Sequence, residues 1–393
     1  MVKKKKLNCL VLVIAILSLM PVLVSSQVIT GAERTELYYP LLKNKTIGIV
    51  ANNASVVNGK NIIDSLLAMG LEIKKIFAPE HGLRKSQEAG QTIKNTIDSA
   101  TGIQVISLYG KKKKPDKNDL KDIDIVVFDL QDVGVRFFTY ISTLTYVMES
   151  CAENNTPLLL FDRPNPNGFY VDGPVLDSTQ ASFVGLHPVP VVYGMTIGEY
   201  AQMINEEGWL KNRMICDLNI VSLENYTHST PYQLPIKPSP NLSTMNAVYL
   251  YPSLCFFEGT IVSVGRGTDS PFEVFGHPAF KGFSFSFIPR RMVGMSLNPL
   301  YKDQDCLGVD LHDFYDTHPK MFGRINLSWL FMAYKNLGSQ ASFFNDYFDK
   351  LAGTSLLREQ IIQNIPEIEI RKTWEPRLSE FKEIRKKYLL YPD

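Results

Sequence analysis

The first half of the chain alternates short apolar runs with stretches of helical periodicity, and this alternation predicts a parallel sheet. The apolar runs, rich in valine, isoleucine and leucine, predict strands at Thr46–Ala51, Ile73–Ala78, Gln104–Leu108, Ile125–Asp129 and Pro157–Phe161. Helices are predicted at Ile62–Met69, before Gly70, and at Tyr140–Asn154. Continuous apolar runs are typical of strands that are buried on both faces. The pattern therefore predicts an α/β fold with a Rossmann-like, doubly wound parallel sheet.

The second half begins after a proline-rich segment, Pro231–Pro240, that is typical of a boundary or a rigid crossing. The apolar stretch Met245–Phe257 predicts a buried helix, and Phe283–Ile288 predicts a strand. Further helical patterns occur near Leu330–Asn336, Phe343–Leu351 and Ser379–Leu389. We therefore expect a Rossmann-like domain over residues 27–235 and a smaller C-terminal α/β domain over residues 236–393, which forms the other wall of a cleft.

Polar side chains follow three of the predicted strands at the point where each strand ends. They are Glu80, His81 and Arg84 after the second strand, Asp129, Gln131, Asp132 and Arg136 after the fourth, and Asp162, Arg163 and Asn165 after the fifth. Sheets of this kind bind ligands beyond the carboxyl ends of their strands. We therefore expect these side chains to converge on one rim of the sheet.

The sharpest local feature is the motif Pro79-Glu80-His81-Gly82. Pro79 fixes the turn that leaves the strand, and Gly82 permits a positive φ or a close approach. A glutamate that is partly desolvated at a strand end can have its pKa raised enough to act as a general acid near neutral pH. The alternative is a capping or ion-paired glutamate beside a structural histidine. The two other polar strand ends on the same rim favour the catalytic interpretation.

The other strand-end residues have structural as well as functional interpretations. Asp129 and Asp132 could orient a sugar hydroxyl, bind a metal ion or cap the following turn. Each arginine, including Arg266 in the second half, could clamp a carboxylate through two parallel hydrogen bonds or form a structural ion pair. The sequence alone leaves these alternatives open.

The amino terminus is typical of an exported protein. It contains the basic run Lys3–Lys6, the apolar run Leu10–Val24 and the small residues Ser25-Ser26, which are the three parts of a cleavable signal peptide. We expect cleavage before about Gln27 and a periplasmic or secreted product without stable membrane insertion. Removal of four lysines and no acidic residue changes the net charge from +1 to −3. Such a chain lacks the basic surface by which proteins bind nucleic acid, so we expect no nucleic-acid partner.

Several common cofactor and catalytic motifs are absent from the sequence. No GxGxxG or Walker pattern occurs in the first βαβ unit, which disfavours dinucleotide binding. No GxSxG motif marks a serine nucleophile, and no HxH or HExxH spacing supports a metal site. The cysteines beyond the signal peptide form no CxxC motif. We therefore expect the protein to work without a cofactor or a bound metal.

Seven segments, in order along most of residues 40–280, together resemble the exo-β-N-acetylmuramidases of the NamZ family. They are FAPEHGLR (77–84), SLYG (107–110), FDLQDVGVRFFTYISTL (128–144), FDRPNPNG (161–168), GPVLD (173–177), PSPN (238–241) and EGTIVSVGRGTDSPFEVFGHP (258–278). The ordered combination is far more specific than any one motif. The last hundred or so residues match the family's motifs more weakly, so the resemblance there rests on continuity of the chain.

The resemblance implies a Rossmann-like domain joined to a smaller C-terminal domain, with the active site in the cleft between them. It also implies exo-acting hydrolysis that releases N-acetylmuramic acid from the non-reducing end of peptidoglycan fragments during cell-wall turnover. Carried onto this chain, the glutamate of the PEHG motif is Glu80, the general acid, with His81 beside it. The family often has an acidic residue before the GRGT motif, where this chain has Val264.

This substrate gives the remaining polar residues candidate roles. Its lactyl carboxylate would be bound by an arginine: Arg136, Arg163 or Arg266. Glycoside hydrolysis normally uses two carboxylates, so we expect Glu258 to act with Glu80. Asp129, Asp132 or the acetamido group of the substrate are the alternatives to Glu258. The residues expected to contact the sugar are Arg84, Asp129, Gln131, Asp132, Arg136, Asp162, Arg163, Asn165, Asn241, Arg266, Thr268 and Phe272.

Two other functions stay open at the level of the sequence. The first is a metal-dependent hydrolase of a cell-wall amide or ester, which would use Glu80, His81 and either Asp129 or Asp132. The second is a glycan-binding protein without catalytic activity. Replacement of Glu80 by glutamine separates this last alternative, since it would abolish turnover in an enzyme but leave the affinity of a binding protein nearly intact.

Overall fold

The computed structural model describes residues 27–80, 82–84, 96–339 and 341–393. The predicted signal peptide and His81 lie outside the described residues, so their roles stay predictions. Within the described ranges, no helix combines the length and the apolar character needed to cross a bilayer.

Most of the strands belong to one large sheet. The described strands are β1 (Thr46–Ala51), β2 (Val56–Val57), β3 (Lys60–Asn61), β4 (Glu72–Ala78), β5 (Thr96–Ile97), β6 (Gln104–Ser107), β7 (Ile125–Asp129), β8 (Leu158–Phe161), β9 (Leu218–Val221), β10 (Val274–His277), β11 (Phe285–Phe287) and β12 (Cys306–Asp310). Seven of them form a sheet in the order β5-β6-β4-β1-β7-β8-β9, in which all neighbours are parallel except β5 and β6. Without the short β5, this is the strand order of a Rossmann fold, whose winding reverses between β1 and β7. The predicted fold class is confirmed.

Helices connect the strands and make up most of the C-terminal part. The described α-helices are α1 (Thr35–Leu42), α2 (Ile62–Ala68), α3 (Lys117–Leu120), α4 (Tyr140–Asn154), α5 (Ile197–Glu206), α6 (Met245–Leu254), α7 (Phe314–Thr317), α8 (Ser328–Asn336), α9 (Phe348–Ala352), α10 (Leu356–Ile362) and α11 (Glu367–Lys386). The predicted helix that begins at Met245 changes at its end into a 3₁₀-helix, Cys255–Gly259. This tighter turn leads directly into the C-terminal wall of the cleft.

Alternate residues of each central strand point into different hydrophobic clusters, one on each face of the sheet. In β7, Val126 and Phe128 contribute to the larger cluster, whereas Val127 contributes to the smaller one. In β4, Phe77 and Ile76 divide in the same way. Side chains of a strand alternate between its faces, so burial on both faces requires an unbroken apolar run. This is why the strands are recognisable in the sequence as continuous apolar segments.

The C-terminal part is built around a small antiparallel sheet in the order β10-β12-β11. Its helices share the larger hydrophobic cluster with one face of the N-terminal sheet, through side chains such as Phe256, Trp329 and Phe348. A common core of this kind holds the two parts of the chain together. The proposed division between residues 235 and 236 stays a prediction, since the apolar cluster crosses it.

Candidate active site

A cavity of about 340 Å³ lies beyond the carboxyl ends of the central strands, where the N-terminal sheet meets the C-terminal part. One wall follows the sheet and the loops beyond it: Glu80, Tyr109, Phe137, Phe138, Thr139, Tyr140, Ser182, Phe183 and Val184. The other wall comes from the second half of the chain: Ser239, Leu242, Tyr251, Glu258, Arg266, Phe272, Tyr347 and Lys350. Both halves of the chain thus contribute to one cavity.

Glu80 enters the cavity from the turn that follows β4. The backbone amide of Gly82 donates to the carbonyl of Pro79 at 3.3 Å, and Gly82 has a φ of 77°. A positive φ favours glycine, as the motif predicted. The Thr139 hydroxyl, at the start of α4, donates to Glu80 Oε2 at 3.0 Å. The carboxyl group is therefore oriented by the next strand-to-helix connection while its side chain borders the cavity.

Glu258 faces the cavity from the 3₁₀-helix and forms an ion pair with Arg266. The thiol of Cys255, one turn earlier, donates to the second carboxylate oxygen at 3.6 Å. The Arg266 guanidinium lies 5.1 Å from the centre of the Phe272 ring. Burial lowers the pKa of Arg266, but the adjacent Glu258 carboxylate more than reverses this, so the pKa is raised overall. The Glu258 carboxylate is thus held in place, with a cationic partner at Oε1 and only the Cys255 thiol at Oε2.

Tyr347 lies within electrostatic reach of both carboxylates. Burial raises its pKa, and Glu258 and Glu80 raise it further. Its hydroxyl is therefore neutral at neutral pH and can donate a hydrogen bond into the cavity. Burial and the nearby Glu80 also raise the pKa of Tyr140, but its hydroxyl bonds within the protein: it accepts from Asn52 Nδ2 at 2.7 Å and donates to the Pro238 carbonyl at 3.3 Å.

Below the cavity, at the same edge of the sheet, lies a set of charged residues that we call the buried polar layer. It comprises Asp129, Asp132, Arg136, Asp162 and Arg163. Arg163 Nη2 donates to Asp129 Oδ2 at 2.8 Å, and both side chains are essentially inaccessible to solvent. Arg163 Nη2 also donates to the carbonyl of Val56 at 3.2 Å. This ion pair joins the ends of β7 and β8, and Arg163 borders a separate cavity of about 460 Å³ rather than the one that contains Glu80.

The two other aspartates of the layer accept hydrogen bonds from the protein. Asp132 Oδ2 accepts from the Gly134 amide at 2.8 Å and from the Tyr193 hydroxyl. Asp162 accepts from the Thr196 and Tyr391 hydroxyls, each at 2.7 Å. Burial raises the pKa of Asp132 to about 6 and that of Asp162 to about 7. Asp162 thus fastens the start of α5 and the C-terminal segment to the end of β8.

Arg136 is fully buried and donates to backbone carbonyls only. Nη1 bonds the carbonyls of Pro174 and Val189 at 2.8 and 2.9 Å, and Nη2 bonds that of Leu351 at 2.8 Å. Burial lowers the pKa of Arg136 to about 9. Because Leu351 belongs to α9, this side chain connects the sheet domain to a helix of the C-terminal wall.

Five further predicted ligands also lie outside the cavity lining. Gln131 Nε2 donates to the carbonyls of Asp132 and Pro164, each at 2.8 Å, and Asn165 Nδ2 donates to that of Met195 at 2.8 Å. The other contacts are Arg84 with Asp64 and Asp98 at 2.7 to 2.9 Å, Asn241 with the Met295 carbonyl at 3.3 Å, and Thr268 with the Gly265 carbonyl at 2.7 Å. These side chains hold turns and connections in place.

Of the predicted site residues that are described, the structure brings Glu80, Glu258, Arg266 and Phe272 together. The sequence reasoning missed Phe183, Tyr347 and Lys350, and it did not use Tyr109. Tyr109 lies in the SLYG segment, so the resemblance could have identified it. Lys350 is part of a stretch with an ordinary helical pattern, and nothing local distinguishes it from a solvent-exposed lysine.

The described residues in this region offer few ligands for a metal ion. Among the described residues, no group of three or more histidine, cysteine, aspartate and glutamate side chains is placed to hold a metal. Asp129, a ligand in the metal-dependent alternative, has both carboxylate oxygens engaged by Arg163.

Known proteins resemble this chain over most of its length. The chain is 37% identical over 374 residues to "Peptidoglycan beta-N-acetylmuramidase NamZ" of Bacillus subtilis (strain 168), an alignment that covers 90% of this chain and 89% of the relative. It also resembles two crystal structures of DUF1343 family proteins from Bacteroides fragilis NCTC 9343. The first has a TM-score of 0.86 at 46% identity and covers 94% of this chain and all of the other; the second has a TM-score of 0.75 at 28% identity and covers 93% and 99%.

Two family models match the chain in succession. The model of the N-terminal part of the exo-beta-N-acetylmuramidase NamZ matches residues 47–246, and that of the C-terminal part matches residues 249–391. Together they span both walls of the cavity and the buried polar layer. The chain therefore belongs to the exo-β-N-acetylmuramidase NamZ family.

Proposed function

We propose that this protein is an exo-acting glycoside hydrolase that releases N-acetylmuramic acid from the non-reducing end of peptidoglycan fragments. The observation that carries the proposal is the meeting of Glu80 and Glu258, from the two halves of the chain, at one cavity. Most glycosidases use a pair of carboxyl groups that flank the glycosidic bond of the bound sugar. The name of the Bacillus subtilis relative supports the same bond and the same sugar.

The size and lining of the cavity suit a sugar bound at a chain end. A volume of about 340 Å³ lies near the lower limit for small-molecule sites, which favours one or two rings over a long glycan. Aromatic side chains of the two walls, such as Tyr109 and the exposed Tyr347, give the cavity apolar surface for the ring and the acetyl methyl group. An exo-acting enzyme needs such a short site, because only the terminal residue has to enter.

Glu80 is placed to act as the general acid. The Thr139 hydroxyl holds one carboxyl oxygen at 3.0 Å, so the group presents a defined face to the glycosidic oxygen. Proton transfer from Glu80 to that oxygen lets the rest of the fragment leave as an alcohol when the glycosidic bond breaks. Water then supplies the new hydroxyl on the anomeric carbon of the muramic acid and gives up a proton to a carboxylate of the site. Positioned acids of this kind contribute about 10²–10⁴-fold to rates.

Glu258 provides the second negative charge of the site. Its ion pair with Arg266 and its bond from Cys255 fix the carboxylate without burying it completely. In this position it stabilises the positive charge that develops on the sugar ring in the oxocarbenium-like transition state. Glu258 could instead attack the anomeric carbon as a nucleophile, or it could orient the acetamido group of the substrate for that attack.

Turnover of two matched disaccharides tests the proposal. One carries N-acetylmuramic acid at its non-reducing end, and the other has the two sugars in the reverse order. We expect the protein to release free N-acetylmuramic acid from the first only, as measured by mass spectrometry. Absence of product from the first disaccharide, or equal cleavage of both, would contradict the proposal.

Export is part of the proposal, because peptidoglycan lies outside the cytoplasmic membrane. Residues 1–26 carry the features of a signal peptide. We expect the processed protein to begin near Gln27 in the periplasm or the medium. Amino-terminal sequencing of the exported protein checks this, and an intact Met1 on the active protein would contradict it.

A further inference from the structure

The charges that line the cavity are unequally compensated. Four of the described lining residues have acidic or basic side chains: Glu80, Glu258, Arg266 and Lys350. Arg266 is paired with Glu258. Lys350, by contrast, forms no ion pair with any residue of the described ranges, although two carboxylates border the same cavity. It is therefore a cation available to a ligand.

The acidic residues next to Lys350 in sequence are directed elsewhere. Asp349, the acid within α9, accepts two hydrogen bonds from Arg358, at 2.9 and 2.7 Å. The charge of Asp346, one turn earlier, also raises the pKa of Arg358, although less than the charges of Asp349 and Glu359 do. These two acidic side chains therefore interact with Arg358 and do not neutralise Lys350 on the face of α9 that borders the cavity. Tyr347 and Lys350, three residues apart, share that face.

The position of Lys350 relative to Glu258 is fixed by close packing. A Cβ atom at Gly259, the residue after Glu258, would lie 2.4 Å from the Cα of Phe348, so α9 rests directly on this segment. The Asn345 amide donates to the Gly259 carbonyl at 3.0 Å. At the other end of α9, Arg136 donates to the Leu351 carbonyl at 2.8 Å. The helix therefore holds Lys350 at a set place on the wall that carries Glu258.

The chemistry of the proposed substrate supplies a partner for this lysine. N-acetylmuramic acid differs from N-acetylglucosamine by a lactyl ether, whose carboxylate is negatively charged at neutral pH. Glu258 already places a carboxylate at this cavity, so an added anion is repelled unless a cation meets it. A lysine–carboxylate hydrogen bond is among the stronger polar contacts in proteins.

We propose that Lys350 binds the lactyl carboxylate and is thereby a specificity-determining residue for muramic acid over glucosamine. This assignment rests on the proposed function. It replaces the expectation that an arginine performs this task, because Arg136 and Arg163 are buried in bonds to the protein and Arg266 is paired with Glu258. Arg136 contributes indirectly, as a positioning residue for α9.

Steady-state kinetics on three nitrophenyl β-glycosides test the assignment. The glycosides are those of N-acetylmuramic acid, of its carboxyl methyl ester and of N-acetylglucosamine. The variants are Lys350→Met, Lys350→Arg as a charge-conserving form, and Lys320→Met as the loss of an exposed lysine away from the cavity. We expect Lys350→Met to lose about 10–100-fold in kcat/KM on the free acid, mainly through KM, and to be unchanged on the ester. Lys350→Arg should restore part of the loss, and Lys320→Met should match the wild type.

The outcomes separate the two proposals. If the wild type hydrolyses the muramic acid glycoside but Lys350→Met has the same KM for the acid, the role of Lys350 is wrong and the enzyme activity stands. Equal losses on the acid and the ester also overturn it, because they indicate a structural effect. If the wild type hydrolyses neither muramic acid glycoside, both proposals fail. Should Lys350→Met not fold, Lys350→Arg and the wild-type preference for acid over ester decide the matter in the same way.

Discussion

The cavity and the buried polar layer beneath it contain the same kinds of groups, yet those groups face different surroundings. Each region has an arginine paired with a carboxylate: Arg266 with Glu258 in the cavity, and Arg163 with Asp129 in the layer. The side chains of the first pair are 26% and 23% exposed, whereas those of the second are 1% and 0% exposed. The first pair is therefore open to a ligand in the cavity, while the second pair is almost completely enclosed by the protein.

The difference teaches how one edge of a sheet can serve both chemistry and stability. In the layer, Asp129, Asp162 and Arg163 tie the ends of β7 and β8 to neighbouring segments. In the cavity, Glu80 and Glu258 keep part of their surface open, and their partners orient them without covering them. The buried polar layer thus holds in place the turns that carry the reactive groups. Substitutions in the two regions should consequently have separable effects.

Loss of Glu80 should produce the largest change in activity. Glu80→Gln removes the proton donor, so we expect kcat on a muramic acid glycoside to fall by about 10²–10⁴-fold. The free energy of unfolding should stay within about 0.5 kcal/mol of the wild type, because the side chain borders solvent. Glu380→Gln, an exposed glutamate in α11, is the matched control. If Glu80→Gln keeps the wild-type kcat, Glu80 is not the general acid.

Loss of Asp129 should produce the opposite pattern. Asp129→Asn leaves the buried Arg163 without its counter-charge, and breaking a buried pair in this way costs about 3–5 kcal/mol of stability. Denaturant unfolding measures this cost, and kcat per folded molecule should be unchanged. The double variant Asp129→Leu/Arg163→Met, which removes both charges, should recover much of the stability. Wild-type stability of the single variant would show that the pair is not structural.

The layer should also make stability depend on pH. Burial raises the pKa of Asp162 from its ordinary value of 3.8 to about 7, so between pH 4 and 7 the folded state keeps a proton that the unfolded state releases. The free energy of unfolding should therefore fall as pH rises through this window, by at most about 1.4 kcal/mol per pH unit for one proton. Asp162→Asn should flatten the profile, as measured by denaturant titration at each pH. A profile that rises equally in both proteins would oppose the prediction.

The smallest change in stability is expected from the partly exposed ion pair between Arg266 and Glu258. Arg266→Met should alter the free energy of unfolding by about 0–1 kcal/mol, because a pair that is a quarter exposed is screened by solvent. It should nevertheless lower kcat/KM about tenfold, since Glu258 loses the group that orients it. Kinetics and unfolding of the same sample check both parts. A stability loss as large as that of Asp129→Asn would erase the contrast between the two pairs.

Much of the central fold could be predicted from sequence, because buried parallel strands are written as unbroken apolar runs. The observed bounds of β1, β7 and α4 equal the predicted ones. The edge strand β9 was missed because its residues are only partly buried and include Asn219. The last helix was predicted to begin at Ser379 but begins at Glu367, because its buried residues form a narrow stripe within a mostly charged sequence.

Site residues could be predicted only where neighbouring residues in the sequence determine the local backbone geometry. Glu80 could be identified because Pro79 and Gly82 mark the turn that presents it. Arg136 and Arg163 could not be distinguished from Arg266, since tertiary packing decides whether an arginine at a strand end is buried or faces a cavity. Lys350 lies far from Glu80 in sequence, and only the docking of α9 beside Gly259 brings it to the cavity.

The most direct test of the central claim is a crystal structure of Glu80→Gln with a disaccharide that carries N-acetylmuramic acid at its non-reducing end. The account predicts that the muramic acid ring occupies the cavity between Glu258 and residue 80, with the glycosidic oxygen within hydrogen-bonding distance of the substituted side chain. The lactyl carboxylate should lie within the same distance of Lys350 Nζ. A sugar bound elsewhere, such as the cavity beside Arg163, or bound here with its carboxylate directed away from Lys350, would contradict the account.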